Sequence, residues 1–88
     1  MIDRGAINRA LAAIDQLLDP RAPAPSVAPV SDSGLQIEWH HRGRDLEIEF
    51  SPDGRTEFYY FDEHTGEEHE GPAGPGFAFL QSYLGRIW

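Results

Sequence analysis

The sequence contains no cysteine and no lysine, and it has no long apolar run. Without cysteine there is no disulfide and no thiolate metal site, so we expect oligomerisation, for example a homodimer, or a partner to reinforce a small core. Without lysine, the glycine-rich stretch at residues 71–76 lacks a side chain that a phosphate-binding loop requires. No segment approaches the roughly 20 apolar residues of a membrane-spanning helix. We therefore predict a cytoplasmic protein without a membrane partner.

Basic charge is also scarce. Seven basic residues, all arginine, stand against fifteen acidic ones, and the formal net charge is −8. Binding to nucleic acid or to an anionic membrane surface needs clustered cations, so this balance argues against both. It favours a basic protein as the partner.

The chain has 88 residues, which predicts a single small domain over residues 1–88. Residues 1–19 show a helical period and 20–34 form a proline-rich linker of extended backbone. Residues 35–70 predict an antiparallel β-meander, and 75–88 a second amphipathic helix. The predicted fold class is α+β, with four antiparallel strands and both helices packed on one face, in the order α-β-β-β-β-α.

In the N-terminal helix, the apolar stripe consists of Ile7, Leu11, Ile14 and Leu18, flanked by Ala10 and Leu17, and Asp3 is the predicted N-cap. The stripe has two interpretations. Either it packs on the protein's own sheet, or it docks on a partner or on a second copy of the chain.

The predicted strands alternate apolar and polar residues, separated by turns that contain glycine. The inward positions are Leu35, Ile37, Trp39, Leu46, Ile48 and Phe50. The third strand is apolar on both faces, with Phe58 and Tyr60 on one and Tyr59 and Phe61 on the other. In the C-terminal helix the apolar positions are Phe77, Leu80, Leu84 and Ile87.

The outward positions concentrate carboxylates and two aromatic rings, and they form the predicted partner-binding surface: Glu38, His40, Glu47, Glu49, Glu57, Tyr59 and Phe61. One interpretation is a solvated face that resists aggregation, with Arg42, Arg44 and Arg55 relieving the repulsion between carboxylates. The other is a docking surface for a basic partner, in which the two aromatic rings supply contact energy. Solubility alone does not require those rings.

The sequence predicts no enzyme, no cofactor and no dedicated metal site. A flat meander of this size offers little concavity for a catalytic cleft, and no nucleophile motif is present. His64 and His69 lie among acidic residues and are weak metal candidates, since they match neither zinc spacing nor an EF-hand loop.

The segments GLQIEW (34–39) and RDLEIEFSPDGRTEFYYFDEHTGEEHEG (44–71) resemble a recurrent β-meander core of small bacterial and phage proteins. The resemblance implies the meander and no catalytic residue. Genes of this sort resemble the small acidic members of toxin–antitoxin or phage-defence loci. This implies a binding module that occludes a protein partner, as an antitoxin, an immunity protein or a phage inhibitor of a bacterial defence protein does. The alternatives are a structural subunit docked through its N-terminal helix, or a small metal-binding protein using His64 and His69.

Overall fold

The computed structural model describes residues 2–17, 24–73 and 78–87. The predicted α+β class and antiparallel sheet are confirmed, but the sheet has five strands, in the sequential order β1-β2-β3-β4-β5. The prediction of four strands was wrong by one. The elements are α1 (Arg4–Leu17), β1 (Ser26–Val30), β2 (Gly34–His41), β3 (Arg44–Phe50), β4 (Thr56–Asp62), β5 (Glu67–Pro72) and α2 (Ala78–Ile87).

The additional strand, β1, lies inside the segment predicted as a linker, residues 20–34. It pairs with β2 from Ser26 opposite Glu38 to Val30 opposite Gly34. Polyproline and β backbones occupy neighbouring regions of φ/ψ space, so a proline-rich segment can join a sheet edge without leaving the extended conformation. An edge strand tolerates Pro29 because some of its backbone groups face solvent.

A two-residue turn fixes the register of the central hairpin. Arg42 and Gly43 both have positive φ, at 56° and 76°, which is the conformation of a type I′ turn. The turn places His41 opposite Arg44, and consequently Glu38 opposite Glu47. Longer turns at residues 51–55 and 63–66 lead into β4 and β5. With the register set, alternation decides which side chains share each face of the sheet.

The inner face of the sheet carries the core, as the alternation predicts. Its buried side chains pack with those of α2 and form one cluster, which includes Leu35, Ile37, Trp39, Leu46, Ile48, Phe50, Tyr60, Leu80, Leu84 and Ile87. Residue 77 lies outside the described residues. Within the described ranges, neither helix is long and apolar enough to cross a lipid bilayer.

Helix α1 buries the two flanking residues of the predicted stripe, Ala10 and Leu17, but not the centre of the stripe. Its buried residues are Ala6, Ala10, Ala13 and Leu17. Ile7 and Leu11 are 37% and 60% exposed, Ile14 is partly buried, and residue 18 lies outside the described residues. Small alanine side chains permit close approach of the helix backbone to its neighbours, which explains why this stripe faces inward. The predicted N-cap is confirmed, since the backbone N–H of Ala6 donates to Asp3 Oδ2 at 3.0 Å.

Candidate functional site

The outer face of the sheet, opposite the core, is the candidate functional site. We define it by the outward side chains of four strands: Gln36, Glu38 and His40 of β2; Asp45, Glu47 and Glu49 of β3; Glu57, Tyr59 and Phe61 of β4; Glu68 and Glu70 of β5. Among these strand positions, His40 is the one base. The structure therefore brings all seven residues of the predicted partner-binding surface onto a single face.

Like charges stand directly opposite each other on this face. Glu38 is paired with Glu47 across β2 and β3, and Glu49 with Glu57 across β3 and β4. Side chains in such positions lie about 5 Å apart, and like-charged pairs destabilise a sheet by tenths of a kcal/mol. Burial raises the pKa of the Glu47 carboxyl, and the neighbouring charge of Glu38 raises it further. The arrangement is thus costly for the isolated protein.

Two of the three arginines expected to relieve this repulsion, Arg44 and Arg55, pair with aspartates. Arg55 also lines a concavity together with Glu49 and Glu57. Arg44 lies on the inner face, where its Nε donates to Asp62 Oδ2 at 3.0 Å. Arg55 Nε donates to Asp53 Oδ2 at 2.9 Å within the turn that precedes β4. The strand alternation already places residue 44 on the inner face, so the expectation was wrong there for a reason that the sequence itself contains.

The two aromatic rings of the outer face are partly buried between carboxylates. Tyr59 lies opposite Glu47 and Glu70, and Phe61 lies opposite Asp45 and Glu68. The Tyr59 hydroxyl donates to Glu68 Oε2 at 2.9 Å, and this hydrogen bond raises the pKa of the phenol. The ring is thereby held in place among negative charges.

The outer face is not flat. It contains an open concavity of about 450 Å³, lined by Gln36, Glu47, Glu49, Glu57, Phe58, Tyr59, Glu70 and Gly71. Its ionisable side chains are carboxylates and the Tyr59 phenol, so the concavity suits a cationic group.

At one end of the outer face, a histidine is held between carboxylates. His40 Nδ1 lies 2.6 Å from Asp45 Oδ1, and its Nε2 lies 3.2 Å from Glu38 Oε2. Gln36 Nε2 donates to the same Glu38 oxygen at 3.1 Å. The hydrogen bond to Asp45 is the main cause that raises the pKa of His40. One ligand atom from each of Glu38, His40 and Glu47 lies within 4.8 Å of the other two.

His64 and His69, the weak metal candidates, have other contacts. His64 Nε2 lies 2.8 Å from the carbonyl oxygen of Arg42, and His69 Nε2 lies 2.8 Å from Glu67 Oε2. Neither belongs to the Glu38, His40 and Glu47 set, which is the one group of three potential metal ligands found in the described ranges.

Comparisons with models of protein families, with curated proteins and with solved structures found no match. The function is therefore argued from the geometry of the outer face.

The predicted partner-binding surface left out four members of this face: Gln36, Asp45, Glu68 and Glu70. The signal was present, because the two-residue turn at Arg42-Gly43 determines the residue opposite each position of β2. Counting outward from that turn places Asp45 beside His40.

Proposed function

We propose that this protein is a non-enzymatic binding module whose outer face covers a basic surface of a protein partner. It acts by occlusion, in the manner of an antitoxin, an immunity protein or a phage inhibitor of a bacterial defence protein. The observation that carries the proposal is the crowding of like charge described above: carboxylates stand directly opposite each other on one face, while Arg44 and Arg55 pair with aspartates.

The crowding of like charge gives a partner a reason to bind. A basic surface neutralises the cross-strand pairs Glu38–Glu47 and Glu49–Glu57. Complementary charge also steers encounter and raises association rates, an effect that falls with ionic strength.

The aromatic rings supply contact energy that charge alone does not. Tyr59 lines the concavity between Glu47 and Glu70, where an arginine or lysine of the partner can stack on the ring while it pairs with a carboxylate. Such cation–π contacts contribute about 0.5–2 kcal/mol.

The area of the outer face determines how much of it a partner must cover. The four strands of the outer face, about 4.8 Å apart and about seven residues long, present roughly 450 Å². A standard interface buries about 800 Å² on each partner. The partner must therefore cover the whole face and part of its rim, which is what occlusion requires.

Charge reversal on the outer face tests the proposal. We expect the double variant Glu47→Lys, Glu49→Lys to bind a folded basic probe, cytochrome c, at least ten-fold more weakly than the wild type at 50 mM salt. The single variant Tyr59→Ala should also bind the probe about ten-fold more weakly than the wild type, because the ring lies at the centre of the contact. Isothermal titration calorimetry measures both, with circular dichroism to verify the fold.

The matched control is Asp53→Lys, Glu63→Lys, which changes the net charge equally but at turn residues. It should retain binding within about three-fold. An equal loss in both double variants would show that only net charge matters, and the proposal of a specific face would fail.

A second candidate, assembly through α1, is favoured by the exposure of Ile7 and Leu11. Two copies related by a twofold axis would place the same apolar residues against each other, which suits a short helix with an apolar outer stripe. Leu11→Lys should then shift a dimer to monomer in sedimentation velocity, while the control Ala12→Lys at the next exposed position should not. A wild type that is monomeric at millimolar concentration would eliminate this candidate.

A further inference from the structure

Three side chains at one end of the outer face form what we term the His40 cluster: Glu38, His40 and Glu47. Strand pairing holds two of them in place, because Glu38 and Glu47 are directly opposite each other. The histidine is two residues further along β2 on the same face. A ligand atom from each lies within 4.8 Å of the other two.

The contacts of His40 determine which of its ring nitrogens carries the proton and which offers a lone pair. Asp45 can only accept, so the 2.6 Å contact assigns the proton of a neutral imidazole to Nδ1. The other nitrogen, Nε2, then directs its lone pair at Glu38 Oε2, 3.2 Å away. A carboxylate oxygen is also an acceptor, and two facing acceptors repel unless a cation lies between or beside them. The geometry is complete only with a bound cation, which is a proton or a metal ion.

We propose that the His40 cluster binds one first-row divalent metal ion, of the class that Zn²⁺ represents, through His40 Nε2 and one carboxylate oxygen each from Glu38 and Glu47. Zinc–nitrogen and zinc–oxygen bonds of about 2.0–2.1 Å in a tetrahedral site separate the ligand atoms by roughly 3.3 Å. The distance between Nε2 and Glu38 Oε2 already has this value. Rotation of the Glu47 side chain brings in the third ligand, and the fourth position stays open to water.

The surroundings favour this class of ion. A nitrogen ligand suits zinc and its neighbours, whereas calcium and magnesium prefer sites made of oxygen alone. Asp45 accepts from the nitrogen of His40 that does not bind the metal, which is the outer contact that metal-binding histidines commonly have. Gln36 similarly holds Glu38.

This inference goes beyond the proposed function and does not rest on it. A metal here would take up the charge of Glu38 and Glu47, which a basic partner would otherwise neutralise. Its test uses the metal alone, so its failure leaves the docking proposal intact.

Titration of the full chain with ZnCl₂ at pH 7.5, followed by calorimetry, tests the site. We expect one saturable Zn²⁺ per chain, with affinity reduced at least ten-fold in His40→Ala and in Glu47→Gln. Asp45→Asn should weaken binding about ten-fold, as outer contacts to metal ligands do. In NMR spectra, Zn²⁺ should shift the ¹⁵N resonance of His40 Nε2.

Two matched controls separate a site from general attraction to an acidic surface. Glu49→Gln removes one carboxylate from the same strand and face, and His69→Ala removes the histidine of the other His–Glu pair. Both should retain zinc affinity within about two-fold, and Ca²⁺ should bind more weakly than Zn²⁺. The proposal is overturned if zinc binds at several equal sites or not at all. Equal weakening by Glu49→Gln and Glu47→Gln, or an unaffected His40→Ala, would also overturn it.

Discussion

The two faces of the sheet are built from the same strands and have opposite electrostatic character. On the inner face, the charged residues are paired: Arg44 donates to Asp62 and also, through Nη1, to the carbonyl oxygen of Arg86 at the end of α2. On the outer face, Glu49 stands directly opposite Glu57, a pair of like charges. The inner face thus pairs opposite charges, whereas the outer face places like charges opposite each other.

The apolar core and the crowded carboxylates lie on opposite faces of the same sheet. Apolar burial on one side supplies the folding free energy, so the other side is free to hold a charge pattern that folding alone does not favour. A surface selected only for solubility would mix charges of both signs.

The largest expected effect is on folding stability, and it should differ between two adjacent residues of β3 that point to opposite faces of the sheet. Ile48 is completely buried, and Ile48→Ala should lower the free energy of unfolding by about 2–5 kcal/mol. Glu49→Ala, on the outer face, should change it by less than about 0.5 kcal/mol. Urea denaturation of both variants measures the difference. Comparable losses would mean that the outer face contributes to folding, and the separation of the two faces would not hold.

A smaller expected effect is the contribution of the Arg44–Asp62 ion pair on the inner face to stability, which depends on pH. Desolvation raises the pKa of Asp62, but hydrogen bonds from Arg44 and from the backbone N–H of His64 outweigh it, so the pKa lies below its usual 3.8. A carboxyl whose pKa is lower in the folded state stabilises the protein above its unfolded-state pKa, and this contribution is lost as pH falls through the folded-state pKa.

We therefore expect Asp62→Asn to lower the melting temperature at pH 7, with the gap to the wild type closing below about pH 4. Thermal unfolding followed by circular dichroism from pH 7 to pH 2.5 measures it. The exposed pair Arg55–Asp53 provides the control, since Asp53→Asn should have little effect at pH 7. A gap that persists unchanged at pH 2.5 would exclude the ion pair as its cause.

The smallest expected effect is a gain in folding stability when one carboxylate of the Glu49–Glu57 pair is neutralised. Glu57→Gln should raise the free energy of unfolding by a few tenths of a kcal/mol, because it relieves the repulsion from Glu49. The gain should shrink in 0.5 M NaCl, since salt screens exposed charges. A double-mutant cycle with Glu49→Gln isolates the pair. A coupling of zero would show that the two carboxylates avoid each other and that the outer face is not strained.

Much of the sheet could be predicted because its determinants are local. Alternation assigned Ile37 and Leu46 to the core and Glu47 to the outer face, and the glycine turns separated the strands. The strand β1 was missed because proline is rare in strands, and a pattern of five residues does not show that an edge is available for pairing. The prediction placed Ile7 and Leu11 at the centre of the buried side of α1, where the structure has alanines. The helical period does not distinguish alanine facing a close neighbour from leucine facing solvent.

By itself, the sequence determined the alternation of the strands, the turns between them and the excess of acidic charge, since each depends on residues near one another in the chain. Tertiary structure decided which side chains of these elements contact one another. It directed Ala6 and Ala10 of α1 inward and left Leu11 exposed, because the fit of the helix depends on side-chain volume and backbone approach. It also brought His40, Glu38 and Glu47 together, because their encounter needs two strands paired in one register.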